Sequence, residues 1–184
     1  MKKDRREFFK ITASSALAAA LLPSVCCGSA EPEPGTEEIS RKSKVEEALS
    51  FLEKYNCCQS VLAAYAPEMG MDKIIALRAA QGMPGIGLLG NVCGAVSGAT
   101  LVIGLKTMNE NNIHDSEAKV KTREIVQEFV ARFEDRHSSI KCRELLGYDI
   151  STREKLQAAI KDKAFARCPR FIESAVEILE ELFS

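Results

Sequence analysis

Apolar positions recur at helical spacing along most of the chain. Val45, Ala48, Leu49 and Leu52 make 41–55 an amphipathic helix. Asn56 can cap a second helix over 57–66, which Pro67 ends. A short helix over 72–80 and a glycine-rich loop over 81–90 follow. The run 92–105 is almost continuously apolar, too short to span a bilayer, and reads as the central buried helix. A long surface helix over 115–136 turns Val120, Ile125, Val126, Phe129, Val130 and Phe133 inward. Three more helices are expected over 139–146, 151–165 and 169–182, the first stopped by Gly147. No segment sustains period-two alternation. The predicted fold is all-α, an irregular bundle of six to eight helices of unequal length.

The first 30 residues have a different character. Residues 4–10 contain Arg5-Arg6 ahead of Phe8-Phe9 and Lys10, which resembles a twin-arginine export signal. The apolar stretch 11–25 is short for a spanning helix, and Gly28-Ser29-Ala30 offers a cleavage site. We therefore expect a signal peptide at 1–30, an acidic flexible tether at 31–43 and one helical domain at 44–184. The twin-arginine route carries folded proteins, often with a cofactor already inserted, and the expected location is periplasmic or cell-surface. Val25 before Cys26, and Cys26 before Cys27, fit a lipidation signal poorly. Membrane attachment is expected only if Cys26 or Cys27 is lipidated.

Charge narrows the choice of partner. The net charge is -1, and removing residues 1–30 leaves 20 basic and 24 acidic groups. That balance, with no Trp and no basic stripe, excludes nucleic acid as the main partner. Gly85-Ile-Gly-Leu-Leu-Gly90 matches a dinucleotide fingerprint by letter. Such a fingerprint works only between a strand and a helix, and no strands are expected, so no nucleotide is implied. The glycines instead let the chain turn sharply and approach a neighbour closely.

The chemistry then rests on seven cysteines. Cleavage after Ala30 would leave Cys57, Cys58, Cys93, Cys142 and Cys168. None forms a Cys-x-x-Cys pair, so thioredoxin, zinc-ribbon and haem-attachment signatures are missing and no haem is expected. His114 and His137 fit solvated positions better than ligands. Cys57, Cys93, Cys142 and Cys168 each fall near the expected start of a different helix. Helix N-termini stabilise anions, a thiolate among them. Lys141 and Arg143 beside Cys142, and Arg167 and Arg170 around Cys168, would reinforce that effect. Four converging helix starts would make a pocket for thiolates or a thiolate-bound metal. Buried small cysteines or disulfides remain open, Cys142–Cys168 being the simplest pair. Gly94 and Gly98, four apart on one face, suit either close helix packing or room for a cofactor beside Cys93.

Asn56-Cys57-Cys58-Gln59, the glycine-rich loop, Cys93-Gly94-Ala95-Val96-Ser97-Gly98-Ala99, Cys142-Arg143-Glu144-Leu145-Leu146-Gly147 and Cys168 together resemble the C_GCAxxG_C_C family of redox-active proteins. The resemblance runs over about 44–182. It implies that Cys57, Cys93, Cys142 and Cys168 are the functional set, as redox cysteines or metal ligands, and it leaves Cys58 without a role. Related sequence occurs in split-Soret-type cytochromes, which hold an iron–sulfur centre; this chain resembles their non-haem part.

Three functions are then expected, in this order. The first is a four-thiolate iron–sulfur or other metal centre for electron transfer. The second is thiol–disulfide exchange or redox sensing without metal. The third is a disulfide-stapled helical binding domain. A redox partner of unspecified kind is implied, and a homodimer is compatible with the sequence. No Ser/His/Asp set or phosphate loop points to a hydrolase or transferase.

Overall fold

The computed structural model describes residues 43–184. The export segment, Cys26 and Cys27, and nearly all of the tether lie outside the described residues. Within them the chain forms α1 (Lys44–Leu52), α2 (Cys57–Tyr65), α3 (Lys73–Ala80), a distorted turn α4 (Gly85–Leu88), α5 (Gly94–Thr107), α6 (Ser116–His137), α7 (Cys142–Leu146), α8 (Arg153–Lys161) and α9 (Cys168–Phe183). The fold is all-α, with eight regular helices among the described residues, as expected.

The helix starts follow their side chains. Ser43 and Glu46 close a reciprocal capping box on α1. Asn56 and Gln59 do the same on α2: each backbone N–H donates to the other's side-chain oxygen at 3.0 Å. Asp72 and Asp115 cap α3 and α6.

The core centres on two helices rather than the one expected. Residues 94–99 of α5 are buried, but so is every residue of α2 from Cys58 to Tyr65. Gly94 and Gly98 bring the two together. A Cβ on Gly98 would lie 2.9 Å from the Cys58 carbonyl oxygen and 2.9 Å from the Val61 Cβ. The amphipathic α9 packs Phe171, Ile172, Ala175, Val176, Ile178 and Leu179 into the same core. Phe129 and Phe133 bring α6 onto it, with Ile125, Val126 and Val130 partly covered. Val120 does not point inward as expected; it is 41 % exposed, one turn inside the helix start and beyond the reach of the core.

Two boundaries depart from the sequence expectation, and both shape the site. The helix expected over 139–146 starts only at Cys142, because the preceding residues pair with the strand-like segment before α5. Val92 and Lys141 form an antiparallel bridge. The Cys93 N–H donates to the Ile140 carbonyl at 2.7 Å, and the Cys142 N–H donates to the Asn91 carbonyl at 2.6 Å. The helix expected over 151–165 ends at Lys161. Lys163 takes a left-handed φ of 56°, and a 3-10 turn over Ala164–Arg167 leads straight into α9.

Candidate four-cysteine site

The four cysteines all stand at helix starts, as the sequence suggested. Cys57, Cys142 and Cys168 are the first residues of α2, α7 and α9, and Cys93 is the cap of α5. The short bridge between Val92 and Lys141 sets Cys93 beside Cys142. The 3-10 turn before α9 delivers Cys168 to the side of Cys57, where its side chain bears on the Cys57 thiol. Cys57 joins the pieces: its charge bears on both Cys93 and Cys142, and Cys93 bears on Cys142. Cys57, Cys93 and Cys142 thus lie near enough to bear on one another's titration, and Cys168 lies beside Cys57. Cys57 and Cys168 also line one cavity. None of the five described cysteines is in a disulfide.

At Cys57, Cys93 and Cys142 the electrostatics run against the expectation that helix ends hold the sulfurs as thiolates. The Cys57 thiol is pushed well up, first by the hydrogen bond with Cys168 and then by burial. Burial, followed by the charge of Cys57, pushes Cys93 up to about 12, although the N–H groups of Ala95 and Val96 pull the other way. Cys142 is pushed up to about 12 by burial, then by Cys93 and Cys57. Desolvation and mutual repulsion outweigh the helix dipole here.

Nor do the basic neighbours serve the sulfurs. Lys141 pairs with Glu144 at 3.0 Å. Arg143 donates to the Gly90 carbonyl and to Asn91 Oδ1 at 3.2 and 3.1 Å. Arg167 donates to the Leu146 carbonyl at 3.2 Å, and Arg170 lies over the Phe171 ring. These contacts fasten the segments that carry the cysteines.

A consequence is measurable in metal-free, reduced protein. The folded thiols hold their protons to higher pH than unfolded thiols, whose usual value is 9.0. Between pH 9 and about 12 the folded state binds more protons, so stability falls as pH rises. The urea midpoint is expected to be flat up to pH 8 and to drop by pH 10.5. Serine at both Cys93 and Cys142 should lessen that drop, the raised Cys57 and Cys58 supplying the remainder.

The remaining sequence-singled residues have clear places. Cys58 is fully buried in the core between α2 and α5. Gly94 and Gly98 face α2: a Cβ on Gly94 would meet the Cys57 Cβ at 3.0 Å and the Cys58 nitrogen at 3.1 Å. The space beside them is filled by protein. The glycine-rich loop does approach something closely, and that something is Cys142: a Cβ on Gly85 would sit 3.5 Å from its Cβ and 3.6 Å from its Sγ. The loop stores strain, with Ile86 and Leu88 at φ of 39° and 64°. His137 is not solvated: its ring packs between Phe133 and Phe171, and burial lowers its pKa.

Sequence reasoning missed a cavity beside the cysteine pair. Its volume is about 570 Å³, and Cys57, Cys168, Leu52, Leu88 and Phe165 are among its lining residues. Its walls come from the end of α1, the glycine loop and the turn before α9, segments whose meeting no local pattern announces.

Soft sulfur donors suit iron–sulfur clusters and zinc, so the donor set fits a thiolate-bound metal. Among the described residues, however, no three Cys, His, Asp or Glu side chains are drawn together as ligands to one ion.

No curated protein and no solved structure matches the chain. A family model described as "Putative redox-active protein (C_GCAxxG_C_C)" matches residues 55–182, well over half of the chain, and spans all four helix-start cysteines. The chain therefore belongs to the C_GCAxxG_C_C family of redox-active proteins.

Proposed function

We propose that this protein transfers electrons through a thiolate-bound centre, an iron–sulfur cluster or another metal, held by Cys57, Cys93, Cys142 and Cys168. The observation that carries the reading is the nearness of Cys57 to Cys93, Cys142 and Cys168, each at the start of a different helix. As thiolates Cys57, Cys93 and Cys142 would repel one another, and burial favours their protonated form. A cation among them would remove both penalties, and its binding would release their protons. Such a centre supplies reversible one-electron chemistry. The chain's own part is to hold the sulfurs dry: Cys93 and Cys168 are buried, and α5 closes against α2 behind them.

The raised thiols also weigh against thiol–disulfide exchange, which needs an accessible thiolate to attack. One observation favours that second reading, the place of Cys168 beside Cys57. Those two could close into a disulfide with loss of two electrons and two protons to an external oxidant.

Export by a twin-arginine-type route belongs to the same proposal and rests on residues 4–30. Export in the folded state would let the centre be assembled beforehand.

Iron, acid-labile sulfide and the absorption spectrum of anaerobically purified protein test the reading. Cells able to build clusters should yield coloured protein with iron and sulfide in constant proportion. Colourless, metal-free protein that takes up two electrons per chain would replace the first reading with the second.

A further inference from the structure

The cavity beside Cys57 and Cys168 has a chemistry of its own. Leu52, Pro84, Leu88, Phe165 and Pro169 give it apolar walls, and no Lys, Arg, Asp or Glu lines it. That composition disfavours nucleotides, flavin phosphates and other charged carriers, whose desolvation nothing there would offset. About 570 Å³ lies within the range of small-molecule sites.

Two residues at the rim, the exposed Gln81 and the half-buried Tyr55, carry side-chain donors free of protein partners among the described residues. Gln81 accepts from Gln59 through its side-chain oxygen, which leaves its NH2 group without a partner among the described residues. The Tyr55 hydroxyl likewise makes no hydrogen bond among them. An apolar chamber with two spare donors asks for an uncharged ligand bearing two acceptors. Since Cys57 and Cys168 form part of the wall, a ligand seated there touches the cysteine centre directly.

We propose that this cavity binds an uncharged, flat, dicarbonyl molecule of the quinone class, its ring between the apolar walls and its carbonyl oxygens facing Tyr55 and Gln81. The inference deepens the redox reading by naming the chemistry of its electron partner; its purpose rests on that reading, but the binding does not. As an acceptor, the quinone would take two electrons in two successive one-electron steps, an external electron-carrier protein re-reducing the cysteine centre between them, and two protons from solvent, and would leave as hydroquinone.

The test is an amide chemical-shift titration of the full chain with duroquinone, whose four methyl groups block addition of thiols to the ring. Saturable shifts confined to cavity residues are expected. Leu52→Trp should fill the chamber and abolish them, and Tyr55→Phe should weaken binding about fivefold, the worth of one hydrogen bond. No saturable shift in wild type, or equal affinity in a folded Leu52→Trp variant, overturns the proposal. Should Leu52→Trp not fold, Tyr55→Phe decides, and unchanged affinity there overturns it. A protein that binds duroquinone yet shows no reversible midpoint keeps the site and loses the redox reading. A protein with a midpoint but no binding loses the site alone.

Discussion

Replacing Cys57 with serine is expected to eliminate the reversible redox response, while replacing its neighbour Cys58 leaves that response in place. The two residues share a helix turn but not an environment. Cys57 lies beside Cys168, and its charge reaches Cys93 and Cys142. Removing it takes away the sulfur that bears on both Cys93 and Cys142 and lies beside Cys168. Cys58 is fully buried in the core, and its thiol is pushed up to about 12 mainly by that burial. Serine there puts a hydroxyl into an apolar site and should cost about 1–3 kcal/mol of stability. Voltammetry and urea denaturation on both variants separate the roles. Loss of the response in Cys58→Ser with retention in Cys57→Ser would reject this assignment.

The second large effect concerns the helix contact that supports the site. Gly98→Ala is expected to destabilise the protein by about 1–3 kcal/mol, the usual range for overpacking. The new methyl would lie 2.9 Å from both the Cys58 carbonyl oxygen and the Val61 Cβ, and a helix backbone cannot swing aside as a flexible side-chain tip can. Gly94→Ala should combine a similar cost with a disturbed redox midpoint, because its nearest neighbour is the Cys57 Cβ. Gly104→Ala is the control. It lies on the same helix with nothing within 4 Å, and there alanine should be neutral or stabilising by up to about 1 kcal/mol. Equal urea midpoints for Gly98→Ala and Gly104→Ala would show that close packing of α2 and α5 is not what position 98 requires.

Local signals in the sequence account for much of the architecture. Caps at Ser43, Asn56, Asp72 and Asp115 mark helix starts because their side chains accept backbone N–H groups whatever the tertiary context. Of the four helix-start cysteines only Cys57 follows such a cap; the starts at Cys93, Cys142 and Cys168 have no capping side chain. Three features were not legible in the sequence. The bridge between Val92 and Lys141 is a single pair of residues, too short to leave an alternating pattern, yet it moves the start of α7 to Cys142. The break after Lys161 depends on a left-handed Lys163, a conformation that its side chain does not advertise. The protonation of Cys57, Cys93 and Cys142 runs opposite to what helix ends and basic neighbours alone imply. Helix dipoles and nearby Arg and Lys are legible along the chain; desolvation, and the diversion of Arg143 and Arg167 to backbone carbonyls, arise only on folding. Gly94 and Gly98 were open between packing and a cofactor, and the contact with α2 gives them a packing role.

The central claim is that four distant sulfurs act as one donor set. Cobalt(II) titration of the reduced, metal-free chain tests it most directly, because sulfur-to-cobalt charge-transfer absorption reports how many thiolates bind. One cobalt ion per chain with the spectrum of a tetrahedral four-thiolate site is the predicted result, diminished by serine at Cys57, Cys93, Cys142 or Cys168 and unaffected by serine at Cys58. A spectrum with no charge-transfer band, or one that responds only to Cys57 and Cys168, would contradict it.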